Sequence, residues 1–108
     1  MTDAADWVHE NSVAYLTVKF YDKNNSLASP SSGTWQVHDI YSGTVMKAPT
    51  YITPIASSVE LTLTTPINTF IDPNSGEETR RVTVRAFFAD GECWDEYDYN
   101  VVGLSYAP

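Results

Sequence analysis

The chain has 108 residues, enough for one domain with a core of its own and no need of disulfides or metal. Fourteen acidic residues against six basic ones leave a net charge of −8, which repels phosphate backbones, argues against direct DNA or RNA binding and suits a basic protein partner. One cysteine, Cys93, excludes an intrachain disulfide and with it the disulfide-bonded antibody-type domain.

No stretch is long or apolar enough to span a membrane. The opening MTDAADWVHE lacks the basic-then-apolar order of a signal peptide, so the expected setting is a reducing cytoplasm, with the chain alone or assembled into something larger. Seven Tyr, four Phe and three Trp, together with abundant Thr and Val, favour sheet over helix.

Residues 1–12 form a polar leader in which Thr2 or Asp3 is placed to cap one helical turn through Ala4, Ala5 and Trp7. Such an arm docks on its own domain or packs on a neighbouring subunit. Over 12–22, Ala14, Leu16, Val18 and Phe20 share one face while Tyr15, Thr17, Lys19 and Tyr21 share the other, the pattern of a half-buried strand. A loop of turn formers follows over 23–33. Residues 34–40 predict a second strand, with Trp35 and Val37 inward and Gln36 and His38 outward. Ser42-Gly43 turns the chain into a short strand over 44–47 that Pro49 stops, and Pro49 and Pro54 place 49–57 along an edge. Residues 58–65 alternate again, with Val59, Leu61 and Leu63 inward. A helical turn or short edge strand over 66–70 and a tight turn over 72–76 lead to the last element.

That element, over 78–104, reads as two long strands joined by a two-residue type I′ turn at Asp90-Gly91. The turn sets a register in which Phe87 faces Trp94, Arg85 faces Glu96, Thr83 faces Asp98 and Arg81 faces Asn100. On the opposite face Phe88, Ala86, Val84 and Val82 meet Cys93, Asp95, Tyr97 and Tyr99. Six or seven strands with turn signals between them and no long helix indicate an all-β sandwich or barrel.

Chemistry-bearing residues are scattered. His9 and His38 belong to no spaced ligand set, and neither a phosphate loop nor a nucleophile elbow is present, so no catalytic, cofactor-binding or metal-binding residues are assigned and no enzyme is expected. The acids Asp90, Glu92, Asp95, Glu96 and Asp98 hold oxygen ligands of the type calcium takes, but strand alternation splits them between faces and Arg81 and Arg85 neutralise part of the set. Cys93 reads as a small buried hydrophobe beside Phe88. Outward aromatics are more informative: Phe87 with Trp94, then Tyr15, Tyr21 and Trp7, are the candidate protein-interface residues.

In order, the pieces LTVKFYD, SGTWQVHDIYSGTV, SSVELTLT, NSGEETRRVTVRAFF and DEYDYNVVGL resemble a group of small tailed-bacteriophage virion proteins with an immunoglobulin-like fold. The resemblance spans about residues 13–104 and leaves out the leader. It implies an immunoglobulin-like antiparallel β-sandwich over 13–104 with a short tail over 105–108. It also implies a non-enzymatic role in the virion: capsid decoration, head–tail connector accessory, or tail or fibre attachment. Its partners would be other virion proteins, met in multiple copies, with a homo-oligomer on the particle left open and no nucleic acid or membrane engaged. A rival of another class is an immunoglobulin-like carbohydrate- or receptor-binding module in which Trp94, Phe87 or Tyr15 stacks on sugar rings.

Overall fold

Runs that alternate apolar and polar residues become strands in the computed structural model, which describes residues 7–103. The strands are β1 (Trp7–His9), β2 (Ala14–Lys19), β3 (Ser32–Asp39), β4 (Val45–Tyr51), β5 (Ser58–Leu63), β6 (Glu77–Phe88) and β7 (Gly91–Val102), with a 3-10 turn over Thr65–Asn68. The fold is all-β and sandwich-like: a five-stranded sheet in the order β1-β7-β6-β3-β4 faces the pair β2-β5. Leu16, Val18 and Phe20 with Leu61 and Leu63 meet Trp35, Val37, Val82, Val84, Tyr97, Tyr99 and Val101 across the core, all of them buried. Val59 and Phe88, also expected inward, are partly buried against it. Each fully buried large side chain contributes about 1.5–3 kcal/mol, so the facing sets hold the sheets together.

Three expectations are corrected. The hairpin closes one residue early: Phe88 faces Gly91 across a loop of Ala89 and Asp90, and every β6 residue meets a β7 residue two positions before the expected one. A type I′ turn needs positive φ at both central residues; here only Gly91 has it, at 148°, as the first residue of β7. A slip of two keeps every side chain on its own face, so the apolar pattern cannot detect it. The strand expected to stop at Pro49 runs through it to Tyr51, because β4 is an edge strand and its register slips against Trp35 and Val37 absorb the missing N–H. Trp7, expected in a helical turn, lies in a strand that pairs in parallel with β7, Trp7 beside Asn100. The rest of that turn, Ala4 and Ala5 with its caps Thr2 and Asp3, falls outside the described residues, as does the tail.

The inward side of β6 continues past Val82 to a charge. Arg80 is fully buried. Its Nη1 donates to Asp39 Oδ1 at 2.8 Å, its Nη2 to Glu78 Oε1 at 2.8 Å and to the Thr69 carbonyl at 2.9 Å, and its Nε to the Ile67 carbonyl at 3.1 Å. Asp39 in turn accepts the N–H and hydroxyl of Ser42, and Glu78 accepts the N–H groups of Ile71 and Asp72 and the Ser75 hydroxyl. Beside this set, Asn68 donates to the carbonyls of Ser12 and Leu63 and accepts the Tyr99 hydroxyl at 2.7 Å. Burial pushes the Tyr99 phenol up. Among the described residues no buried side-chain nitrogen or oxygen is left without a partner. Complete pairing is what makes buried charge tolerable.

Two tests follow from this network. Arg80→Met leaves Asp39 and Glu78 buried without their cation, and urea unfolding is expected to show a loss of about 3–5 kcal/mol. Burial pushes the Glu78 carboxyl up, but the Ile71 and Asp72 N–H groups, Ser75 and Arg80 outweigh it and hold the group at about 2, against the usual 4.5. A carboxyl depressed by folding adds stability that is whole above pH 4.5 and disappears as pH falls to about 2, here about 3 kcal/mol. Unfolding free energy measured from pH 6 to pH 2 should fall less steeply in Glu78→Gln than in the unaltered chain, even though that variant starts from a lower value.

Candidate protein-binding face

The long hairpin presents its polar face outward as the middle of the five-stranded sheet. On that face Arg85 lies opposite Trp94 and two residues from Phe87. Its guanidinium carbon stands 4.6 Å from the centre of the Phe87 ring and 4.7 Å from that of Trp94, so the cation contacts both rings. Arg85 Nε donates to Glu92 Oε2 at 2.9 Å, and Trp94 Nε1 lies 3.4 Å from Glu92 Oε1. The hydrogen bond from Arg85 holds the Glu92 carboxyl below its ordinary range. Cation–π contacts at exposed sites are worth about 0.5–1 kcal/mol each, enough to fix the orientation of Trp94 rather than to stabilise the fold. A shallow dimple of about 90 Å³ adjoins the stack, lined by Thr34, Gln36, Pro49, Thr83, Arg85 and Trp94.

Further along the hairpin Arg81 donates from Nε to Asp98 Oδ1 at 2.8 Å and from Nη2 to Oδ2 at 3.0 Å, and its Nε stands 2.9 Å from Glu96 Oε2. Its hydrogen bond holds the Asp98 carboxyl low. Glu92, Glu96 and Asp98, three of the five acids weighed for calcium, thus pair with guanidinium groups. Asp95 faces the other way, with its Oδ1 on the N–H of Glu96, and no group of three metal-ligating side chains comes together among the described residues.

The five candidate interface residues fall in separate places. Phe87 and Trp94 share a patch, but diagonally: the expected direct pair is corrected to Phe87 opposite Glu92 and Arg85 opposite Trp94. Trp7, half exposed and edge-on to His9 at 5.0 Å, is on the same outer face beside Asn100, about 20 Å along β7 from Trp94. Tyr15 projects from β2 on the opposite side of the molecule. Tyr21 sits beyond the end of β2, bridged to Leu27. Cys93 is exposed, not buried, and among the described residues no strand covers that part of β7. Sequence reasoning missed Arg85 as the centre of the patch, since the register it used set Arg85 against Glu96. Composition does carry the signal: an arginine flanked two residues away by Phe, on a strand facing a Trp, is a stacking arrangement once the register is right.

Compared with known proteins, the chain matches no family model, no curated protein and no solved structure. The face is therefore read from its own chemistry. Replacing Arg85 by Ala should let the Glu92 carboxyl titrate back up toward the ordinary glutamate range, followed by carboxyl carbon chemical shifts. Trp94 fluorescence should move to the red in the same variant as its ring loses the cation and gains water.

Proposed function

We propose that the chain is an immunoglobulin-like β-sandwich serving as a non-enzymatic structural protein of a tailed-bacteriophage virion. In this reading it is made in the host cytoplasm and binds other particle proteins through the outer face of the five-stranded sheet. The observation that carries the binding role is the exposed stack of Phe87, Arg85 and Trp94, with Trp94 57% accessible. Trp and Arg are the residue types that dominate binding energy at protein interfaces. A Trp already held by a guanidinium and a carboxylate loses little freedom on docking, which lowers the entropic cost of association.

The immunoglobulin-like assignment draws support from strand order. β4-β3-β6-β7 follows the C′-C-F-G order of a variable-type sheet, β2 and β5 stand where B and E do, and Trp35 is buried on the strand that corresponds to C. The phage setting rests on the resemblance of the segments over 13–104. Many copies on one particle let individually weak contacts sum. Fold alone hosts many functions, so the test has to address the face and the particle directly.

The chain should appear in purified particles at fixed stoichiometry by mass spectrometry. Trp94→Ala should weaken its binding to particles lacking it by about thirtyfold, the effect of a hot spot of about 2 kcal/mol. Phe87→Ser with Trp94→Ser should abolish incorporation with the circular dichroism spectrum unchanged. Undiminished incorporation of that folded double variant would sink the assignment of the face. Glycan binding lost in Trp94→Ala, with no protein in particles, would mark a carbohydrate-binding module instead.

A further inference from the structure

The two sheets differ in width, and the difference leaves a groove. Among the described residues only β2 and β5 face the five-stranded sheet. β5 shares a hollow with Trp35 and Lys47 of β3 and β4, while β2 stands over β6, its Val18 and Phe20 close to Val84 and Ala86. No described strand lies above the first half of β7. Residues 91–96 are all exposed, although Cys93 and Asp95 point to the side that becomes core at Tyr97 and Tyr99. Between β2 and this uncovered stretch runs an open groove of about 240 Å³, with Val84, Ala86 and Phe88 along it and Cys93 and Asp95 on its far side. It adjoins a second hollow of about 340 Å³ around Tyr21, Asp22 and Asp90.

The backbone beside the groove is poised to pair. Phe20 N–H donates to the Ser57 carbonyl at 2.8 Å, in register with β2 against β5, so residues of that parity bond β5. By the alternation of an antiparallel ladder, Tyr15 and Thr17 direct their N–H and C=O groups to the other edge. No strand pairs there among the described residues. The other sheet guards its edges, with Pro49 and slipped register on β4 and only three residues in β1. β2 has six residues with no proline, no bulge and no inward charge.

We propose that the β2 edge is a strand-addition site for an extended segment of a partner protein, a surface that shares only Trp94 with the Arg85 stack. The incoming strand pairs with Tyr15 and Thr17, runs on beside Val18 and Phe20 so that its apolar side chains enter the groove there, and carries lysine or arginine at its ends. A single strand fits where a second copy does not. β7 and β1 continue the five-stranded sheet beneath the space beside β2, so a twofold mate joined edge to edge would drive its own wide sheet into β7. Charge favours a basic segment: three carboxylates, Asp22, Asp90 and Asp95, line the two hollows against Lys19 and Lys23, in a chain of net charge −8.

The test uses the full chain and a peptide of about eight residues, alternating valine and threonine between terminal lysines. Amide exchange at Tyr15 and Thr17 should slow about tenfold on saturation, and alkylation of Cys93 should slow with it. A glutamate-ended version of the peptide should bind about tenfold more weakly. Thr17→Pro, which removes an edge donor and no bond to β5, should abolish the protection while leaving circular dichroism unchanged; the exchange and alkylation measurements stand without that variant. The proposal is overturned by unchanged exchange at Tyr15 and Thr17, by protection at β5 instead, or by equal binding of the two peptides. Protection that appears only after residues 1–6 are removed would assign the groove to the chain's own first residues. Protection of the same amides in a peptide-free dimer would assign it to a second copy.

Discussion

A guanidinium cut off from water holds this molecule's connections in place. Arg80 reaches from β6 to the end of β3 through Asp39, to the 3-10 turn through the carbonyls of Ile67 and Thr69, and to the loop before β6 through Glu78. Those segments lie at one end of the sandwich, where the β3–β4 turn and the long β5–β6 connection have to be organised without a disulfide. A buried arginine is costly unless its hydrogens and its counter-charges are all met, so the loops must adopt the one arrangement that meets them. Each carboxylate passes the constraint on: Asp39 shapes the turn at Ser42, and Glu78 collects the N–H groups of Ile71 and Asp72. Asn68 and Tyr99 extend the same polar set to β7 and to Ser12.

With that end tied down, the other end is free to carry surface chemistry. The β6–β7 hairpin projects beyond the narrow sheet, and both candidate surfaces use it: the Arg85 stack lies on its outer side, and its inner side forms one wall of the groove beside β2. On the outer side, guanidinium groups neutralise carboxylates and orient rings, so the face is polar in composition yet offers a fixed indole. On the inner side, β2 and β5 are the only described strands facing the wider sheet, which leaves apolar side chains along an open groove. Trp94 rims both the dimple on the outer face and the groove. One is a side-chain patch and the other a backbone edge, which recognise different things.

Register is the pivot between these observations. In the observed pairing Arg81 meets Asp98 and Arg85 meets Trp94; two residues further on, the same arginines would meet Asn100 and Glu96. The charged and aromatic side chains of the outer face are the same in both. The observed register gives Arg81 a two-pronged carboxylate contact and lets Arg85 lie between two rings, and on the inner side it sets Arg80 opposite Tyr99 beside Asn68. The turn then adapts, with Gly91 taking the positive φ outside the two-residue loop.

The period-two alternation of residues 14–20, 34–39, 58–63 and 80–102 was by itself enough to determine that this is an all-β chain and which side chains form most of its core, because burial of one face is a local property of a strand. Cys93, of inward parity but exposed, and the core residues Ile52 and Ile67 outside these runs lay beyond it. It did not determine that Arg80, of inward parity on β6, would be buried, since its partners Asp39 and Glu78 and the carbonyls of the 3-10 turn are assembled only by folding. Nor did it separate Tyr15 from Trp94, which share an outward sense on strands that end up on opposite sides of the core. The hairpin register, the strand character of Trp7, the passage of β4 through Pro49 and the uncovered half of β7 were decided by tertiary structure. Each depends on which strand lies beside or above another, and alternation is blind to that: a slip of two residues, or one strand fewer in the facing sheet, leaves every residue on the same face.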